Sequence, residues 1–214
     1  AYATSTLPLR GGKGRQWEGG IREPYYIKAP GVTKAASTTD VLASGIDWYP
    51  TLLDLCGIEI PQKQKVDGIS LVSTLRQKPT PARPLFWHYP HYGNQGGEPC
   101  SIIMQGDWKL IHYLETGHDE LYNLDKDIGE QNDLFTMHPK LAKEMRARLD
   151  LWLKETNAKF PVSDEQFDSA KRDARWQHMK TGMKAGLENR AANYFKVNHI
   201  PSRNWWGSSK NKTY

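Results

Sequence analysis

The chain has 214 residues with 38% hydrophobic side chains, enough to bury a core in one or two domains. No run approaches the roughly 18 apolar residues of a membrane span, and no charged start followed by an apolar segment marks a leader. The net charge of +5 is uneven: residues 171–214 hold 10 Lys+Arg against 2 Asp+Glu, whereas residues 1–170 hold 19 against 22, so the body has no electrostatic footprint for nucleic acid.

The first informative stretch runs from Leu9 to Pro24 and sets Lys13 among Gly11, Gly12 and Gly14, with Gly19 and Gly20 following. Glycine permits positive φ and close approach of the main chain. A lysine on such a loop offers a compact charge to an oxyanion, so the expected target is an anion. A Walker A loop is excluded, because Leu7 stands where its first glycine belongs and Gly14 follows Lys13 in place of Ser or Thr. A dinucleotide fingerprint is excluded too, because Trp17 takes the place of the third glycine and nothing strand-like precedes the loop.

Beyond the loop, Tyr25-Tyr26-Ile27 reads as a short buried strand closed by the turn Ala29-Pro30-Gly31, and residues 32–40 as a polar connection. Asp47 can cap a short core helix through Leu52, Leu53, Leu55 and Cys56, with Pro50 in its first turn and Gly57 as its stop. Residues 58–84, with Pro61, Pro79, Pro81 and Pro84, read as a long ordered loop to a second subdomain, which puts a boundary near residue 80. The pattern then turns to β: Leu85–Tyr89, Ser101–Met104, Trp108–Tyr113 and Glu120–Asn123, with turn-like joins at Gln105–Asp107 and Glu115–Asp119, predict an antiparallel meander. Pro139 opens a helix whose Leu141, Met145, Leu149 and Trp152 form one stripe suited to a face of that sheet. From Phe160 the chain is polar and basic, with weak helical character over 163–192 and an irregular end. Cys56 and Cys100 have no metal-ligand spacing and read as free buried thiols.

The pattern G-K-G-x-x-x-E-G-G-x-R-x-P, from Gly12 through Lys13, Gly14, Glu18, Gly19, Gly20 and Arg22 to Pro24, resembles the lysine motif of the type I sulfatases, the arylsulfatase family of sulfuric-ester hydrolases. The stretches 45–57, 66–71, 106–110, 120–124 and 130–134 are similar to the same family, so the resemblance covers residues 7 to about 160. It implies an α/β, alkaline-phosphatase-like fold. Residues 1–80 would be the C-terminal piece of its large catalytic domain, 81–160 a small antiparallel α+β subdomain, and 161–214 a basic tail. In that family the lysine matching Lys13 contacts the substrate sulfate, which makes Lys13 the implied catalytic and substrate-binding residue. The family nucleophile, a formylglycine made within C/S-x-P-S-R, has no counterpart at Cys56 or Cys100, and the family's calcium carboxylates lie ahead of the lysine motif. The chain therefore resembles the C-terminal portion of a sulfatase, inactive alone and without a metal site of its own. Calcium and formylglycine are expected in the full-length enzyme, whose N-terminal half is the missing partner. The expected substrate is a sulfated carbohydrate or aryl sulfate, and the expected location is periplasmic or extracellular.

A second candidate segment is Phe86-Trp-His-Tyr-Pro-His-Tyr-Gly93, ahead of the loop 93–97. Aromatic faces suit sugar or aryl rings, and His88, His91 and Asn94 can hydrogen-bond hydroxyls or sulfates; the competing reading is an aromatic core strand. Because the family resemblance hangs this subdomain over the pocket, His88 and His91 are the expected substrate-selecting residues. Glu18 and Arg22 are expected to hold the lysine loop through a salt bridge. Asp125–Glu130 has its glycine at the wrong position for a calcium loop and reads as a charged turn. No G-x-S-x-G elbow offers a serine nucleophile. A related phosphatase or phosphodiesterase of the same superfamily is a weaker reading. The rival from another class is a non-catalytic polyanion-binding module: the tail mixes Trp176, Tyr194, Phe195, Trp205 and Trp206 with its cations, a pattern that can hold sulfated polysaccharide or single-stranded nucleic acid. Asn211-Lys-Thr213 is a glycosylation sequon by pattern.

Overall fold

The computed structural model describes residues 5–93 and 95–198, apart from the side chains of residues 176, 179, 180, 191 and 194. Contacts divide the chain into two units, Thr6–Pro161 and one that begins at Val162.

Four strands organise the first unit: β1 Leu85–Tyr89, β2 Cys100–Gln105, β3 Trp108–Tyr113 and β4 Asp119–Asn123, an antiparallel meander in the order β1-β2-β3-β4. The register sets Trp87 opposite Ile102, Ile102 opposite Ile111 and Leu110 opposite Leu121. Alternate residues point to opposite faces, and both faces are covered. Ile103, Leu110 and Leu121 lie under the helix Pro139–Glu155, which contributes Ala142, Met145, Leu149 and Leu153. Ala142 and Leu153 thus join Met145 and Leu149 on the buried stripe, with Leu141 and Trp152 at its margins; Trp152 stacks on Phe86 at 4.9 Å. On the other face Ile102, Met104, Ile111 and Tyr122 pack against Trp17, Ile21 and Leu42 from the N-terminal segment. The sheet is therefore held between a helix and the lysine loop.

Ahead of the sheet come α1 Glu18–Ile21, a 3-10 turn Gly45–Asp47, α2 Trp48–Leu55 and α3 Val72–Leu75; the long helix is α4. The expected strand Tyr25–Ile27 does not form: a strand needs a neighbour for its peptide groups, these residues have none among the described residues, and Tyr26 is 88% exposed. Asp47 stands at the N-cap position of α2 but does not cap it. Its carboxylate accepts from Ser44 N at 2.8 Å and Ile69 N at 2.9 Å and pairs with Arg83. Gly57, at φ 67°, does end the helix, and Ile58 N reaches back to Leu53 O at 2.9 Å. The helix is not a core helix, since Leu52 is 51% exposed, and Cys56 at its end is exposed rather than buried. Cys100 is buried, at the start of β2 as expected. The stretch expected as loop contains α3, anchored where Leu71 N donates to the buried Thr51 hydroxyl at 2.9 Å.

The second unit holds α5 Ser169–Gln177, a π-helical turn His178–Gly182 and α6 Lys184–Tyr194. Its helical part begins at 169 rather than 163, because Asp168 caps it by accepting from Lys171 N at 3.0 Å. No helix among the described residues is long and apolar enough to cross a membrane.

Candidate functional site

The lysine loop is fixed by its own backbone and by the sheet. Arg15 N donates to Gly12 O at 3.0 Å, closing the turn that carries Lys13, and Gly19 N donates to Arg10 O at 2.8 Å, joining the two stems. The stems come so close that a Cβ on Gly20 would stand 2.1 Å from Arg15 O, so any side chain there forces the backbone to shift. Arg10 donates to Tyr122 OH at 3.0 Å and Glu130 O at 2.9 Å, and its guanidinium lies 3.9 Å over the Trp17 ring. Lys13, at the tip, is exposed and has no hydrogen bond or ion pair among the described residues. It is a cation held out by a rigid turn.

Beneath the loop lies a charged cluster that sequence reasoning missed. Lys109 on β3 is fully buried, with its Nζ 3.0 Å from Glu18 Oε1 and 2.8 Å from Glu130 Oε1. Glu18 N donates to Glu130 Oε2 at 2.6 Å. Burial pushes the Glu130 carboxyl above its ordinary range, and Lys109 opposes that rise. The signal in the sequence was parity: Lys109 is two and four residues from Ile111 and Tyr113 on β3 and shares their face, so a lysine there faces the core and needs buried carboxylates. The expected Arg22–Glu18 pair exists at 3.4 Å but lies at the rim of this cluster.

The charged turn at 125–130 divides its acids. Asp127 accepts from Gln131 N and Asn132 N, each at 2.8 Å, while Glu130 turns inward to Lys109. These carboxylates are committed to amides and an ammonium, and no group of three or more His, Cys, Asp or Glu among the described residues could hold a metal. They do not fit a calcium site.

The loop after β1 meets the lysine loop. The Arg15 guanidinium donates to Gly96 O, and a Cβ on Gly97 would stand 2.2 Å from Gly14 O. The two candidate segments are thus in contact through Gly14, Arg15, Gly96 and Gly97. His91 is exposed just ahead of this loop, its ring edge-on to Tyr89 at 5.6 Å. His88 is elsewhere: it shares the α4 face with Ser101, its Nδ1 is 2.8 Å from Ser101 Oγ and its Nε2 is 2.8 Å from Lys159 O. Asn94, Trp205, Trp206 and the sequon 211–213 lie outside the described residues, as do the side chains of Trp176 and Tyr194.

A loop-borne lysine is fixed over a small meander-and-helix subdomain, and known proteins place this arrangement in a family. Residues 13–159 match the family described as N-sulphoglucosamine sulphohydrolase, C-terminal, and the chain belongs to that family of sulfatases. A sulfatase of Formosa agariphila is 34% identical over 83% of this chain and 35% of its own length. An N-acetylglucosamine-6-O-sulfatase of Bacteroides thetaiotaomicron is 31% identical over 67% of this chain and 26% of its own. A solved structure, in complex with its substrate D-glucosamine-2-N,6-O-disulfate, is 29% identical with a TM-score of 0.53 over 64% of this chain and 29% of that one. The chain spans about a third or less of the length of these relatives, as the C-terminal part of an alkaline-phosphatase-like sulfatase fold. The likenesses give no support to a non-catalytic polyanion-binding module.

Proposed function

We propose that this chain forms one wall of a sulfatase pocket in which Lys13 holds the sulfate of a sulfated sugar. The observation that carries the reading is the exposed Lys13 ammonium on a turn whose stems are locked to a sheet. A fixed cation beside a sulfuryl group balances the charge that grows on the ester oxygens as the S–O bond breaks, and needs no rearrangement at that moment. The 31% likeness to an N-acetylglucosamine-6-O-sulfatase supports a sulfated amino sugar as the substrate. His91 selects substrate from the loop beside Arg15. His88 has a partner on each ring nitrogen, Ser101 on β2 and the Lys159 carbonyl beyond α4, and reaches substrate only by giving up one of them.

Calcium and formylglycine, which the family resemblance implies, are assigned to the remainder of the longer protein, as is the rest of the pocket. The apolar surface around α2 supports docking of that remainder: Trp48, Tyr49 and Leu52 are exposed there, together with Ile46 and Ile58. An exported location, periplasmic or extracellular, follows the family resemblance. The test is to join this chain to the segment encoded immediately upstream and to assay 4-nitrocatechol sulfate and 4-nitrophenyl phosphate side by side. Sulfate release by the joined protein, with this chain inactive alone, is the expected result. Preference for the phosphate ester would replace the reading with a phosphatase of the same superfamily.

A further inference from the structure

We propose that Lys109 is a positioning residue for Lys13: from inside the sheet it holds Glu18 and so sets where the lysine loop presents its cation. The inference rests on the reading of Lys13 as the sulfate-binding group. A turn rich in glycine has many accessible conformations of its own, so its shape must be fixed from outside. Apolar contacts of Trp17 and Ile21 hold the loop near the sheet but have no direction. Directional ties run from Arg15 to Gly96 O, from Arg10 to Tyr122 OH and from Gln16 to Tyr113 OH, and those of both stems meet in one buried cluster. Glu130 takes the stem before Lys13 at its carbonyl, from Arg10 at 2.9 Å, and the stem after Lys13 at its carboxylate, from Glu18 N at 2.6 Å. Lys109 bridges the Glu130 and Glu18 carboxylates at 2.8 and 3.0 Å, all three side chains being at most 2% exposed.

From Glu18 the restraint reaches Lys13 through tight backbone. Gly19 N is bonded to Arg10 O, Gly20 is pressed against Arg15 O, and Arg15 N closes the turn onto Gly12 O. A shift of Glu18 therefore moves Lys13. An ammonium buried between two carboxylates has one good geometry and a steep loss away from it, which is the property a positioning group requires.

The test is a double-substitution cycle in the joined protein with 4-nitrocatechol sulfate, using Lys109→Met and Lys13→Ala. Lys109→Met should lower kcat/KM by about 10- to 100-fold, the scale of a small misplacement of a catalytic group. The double variant should be no worse than Lys13→Ala alone, because Lys109 acts only through Lys13. Losses that multiply overturn the proposal and leave Lys109 a purely structural residue. A second arm uses this chain by itself and reads amide hydrogen exchange. Lys109→Met should speed exchange at residues 12–20 by about tenfold or more, the scale of one lost charge-assisted hydrogen bond, with β2 and β3 still protected. Unchanged exchange at the loop overturns the proposal, and if Lys109→Met does not fold, Glu18→Gln is read the same way. Full activity of Lys13→Ala would remove the sulfate role from Lys13 and the proposal with it; the exchange arm would then report only what holds the loop.

Discussion

Glu130 ties the charge of the buried cluster to pH. Its carboxyl is raised by burial from an ordinary value of 4.5, with Lys109 pulling the other way. A group whose folded-state pKa lies above its unfolded value contributes stability that is full below the unfolded value and is lost as pH rises through the folded one. Glu130→Gln removes that titration. The stability of the wild type relative to Glu130→Gln, measured by urea unfolding, should therefore fall as pH rises from 4.5 toward neutrality; a constant difference would contradict the assignment. The thiols give a second residue-scale prediction. Burial pushes Cys100 up to about 12, whereas Cys56 is exposed at the end of α2. At pH 8 a thiol reagent should label Cys56 rapidly and Cys100 only after denaturation; rapid labelling of both in the native chain would contradict the burial.

At the scale of elements, the lysine loop depends on backbone contact more than on side chains. A methyl group on Gly20 would meet Arg15 O at 2.1 Å, against backbone that cannot rotate away. Gly20→Ala should cost about 1–3 kcal/mol by urea unfolding and loosen residues 12–20 in hydrogen exchange while the sheet stays protected. A neutral Gly20→Ala would show that the stems are not in contact. The meander was legible in the sequence as short runs of apolar and aromatic residues bounded by turns, and α4 because its 3.6-residue period records burial on one face, as in Met145 with Leu149. Tyr25–Ile27 misled because apolar residues alone do not supply a neighbouring strand. The four-residue helix α3 was illegible because Thr51, some twenty positions earlier, anchors it. Lys13 stood out by its glycines, but the cluster under it did not: Glu18, Lys109 and Glu130 are charged residues far apart in sequence, and only the sheet brings them to one buried point.

For the whole molecule, the fold shows how a chain spanning 35% of a relative's length can carry the wall proposed for it. The four-stranded sheet and α4 make a self-contained core, and the lysine loop is mounted on its opposite face. Tyr25, Trp48 and Leu52 remain exposed beside that core, a surface that water does not favour and that the rest of a sulfatase is proposed to cover. The measurement that bears most directly on Lys13 is the kcat/KM for 4-nitrocatechol sulfate of the joined protein with and without Lys13→Ala. A fall of about 100-fold or more in the variant, the scale of one lost group that stabilises transition-state charge, is the predicted result. Equal rates in the two proteins would contradict it.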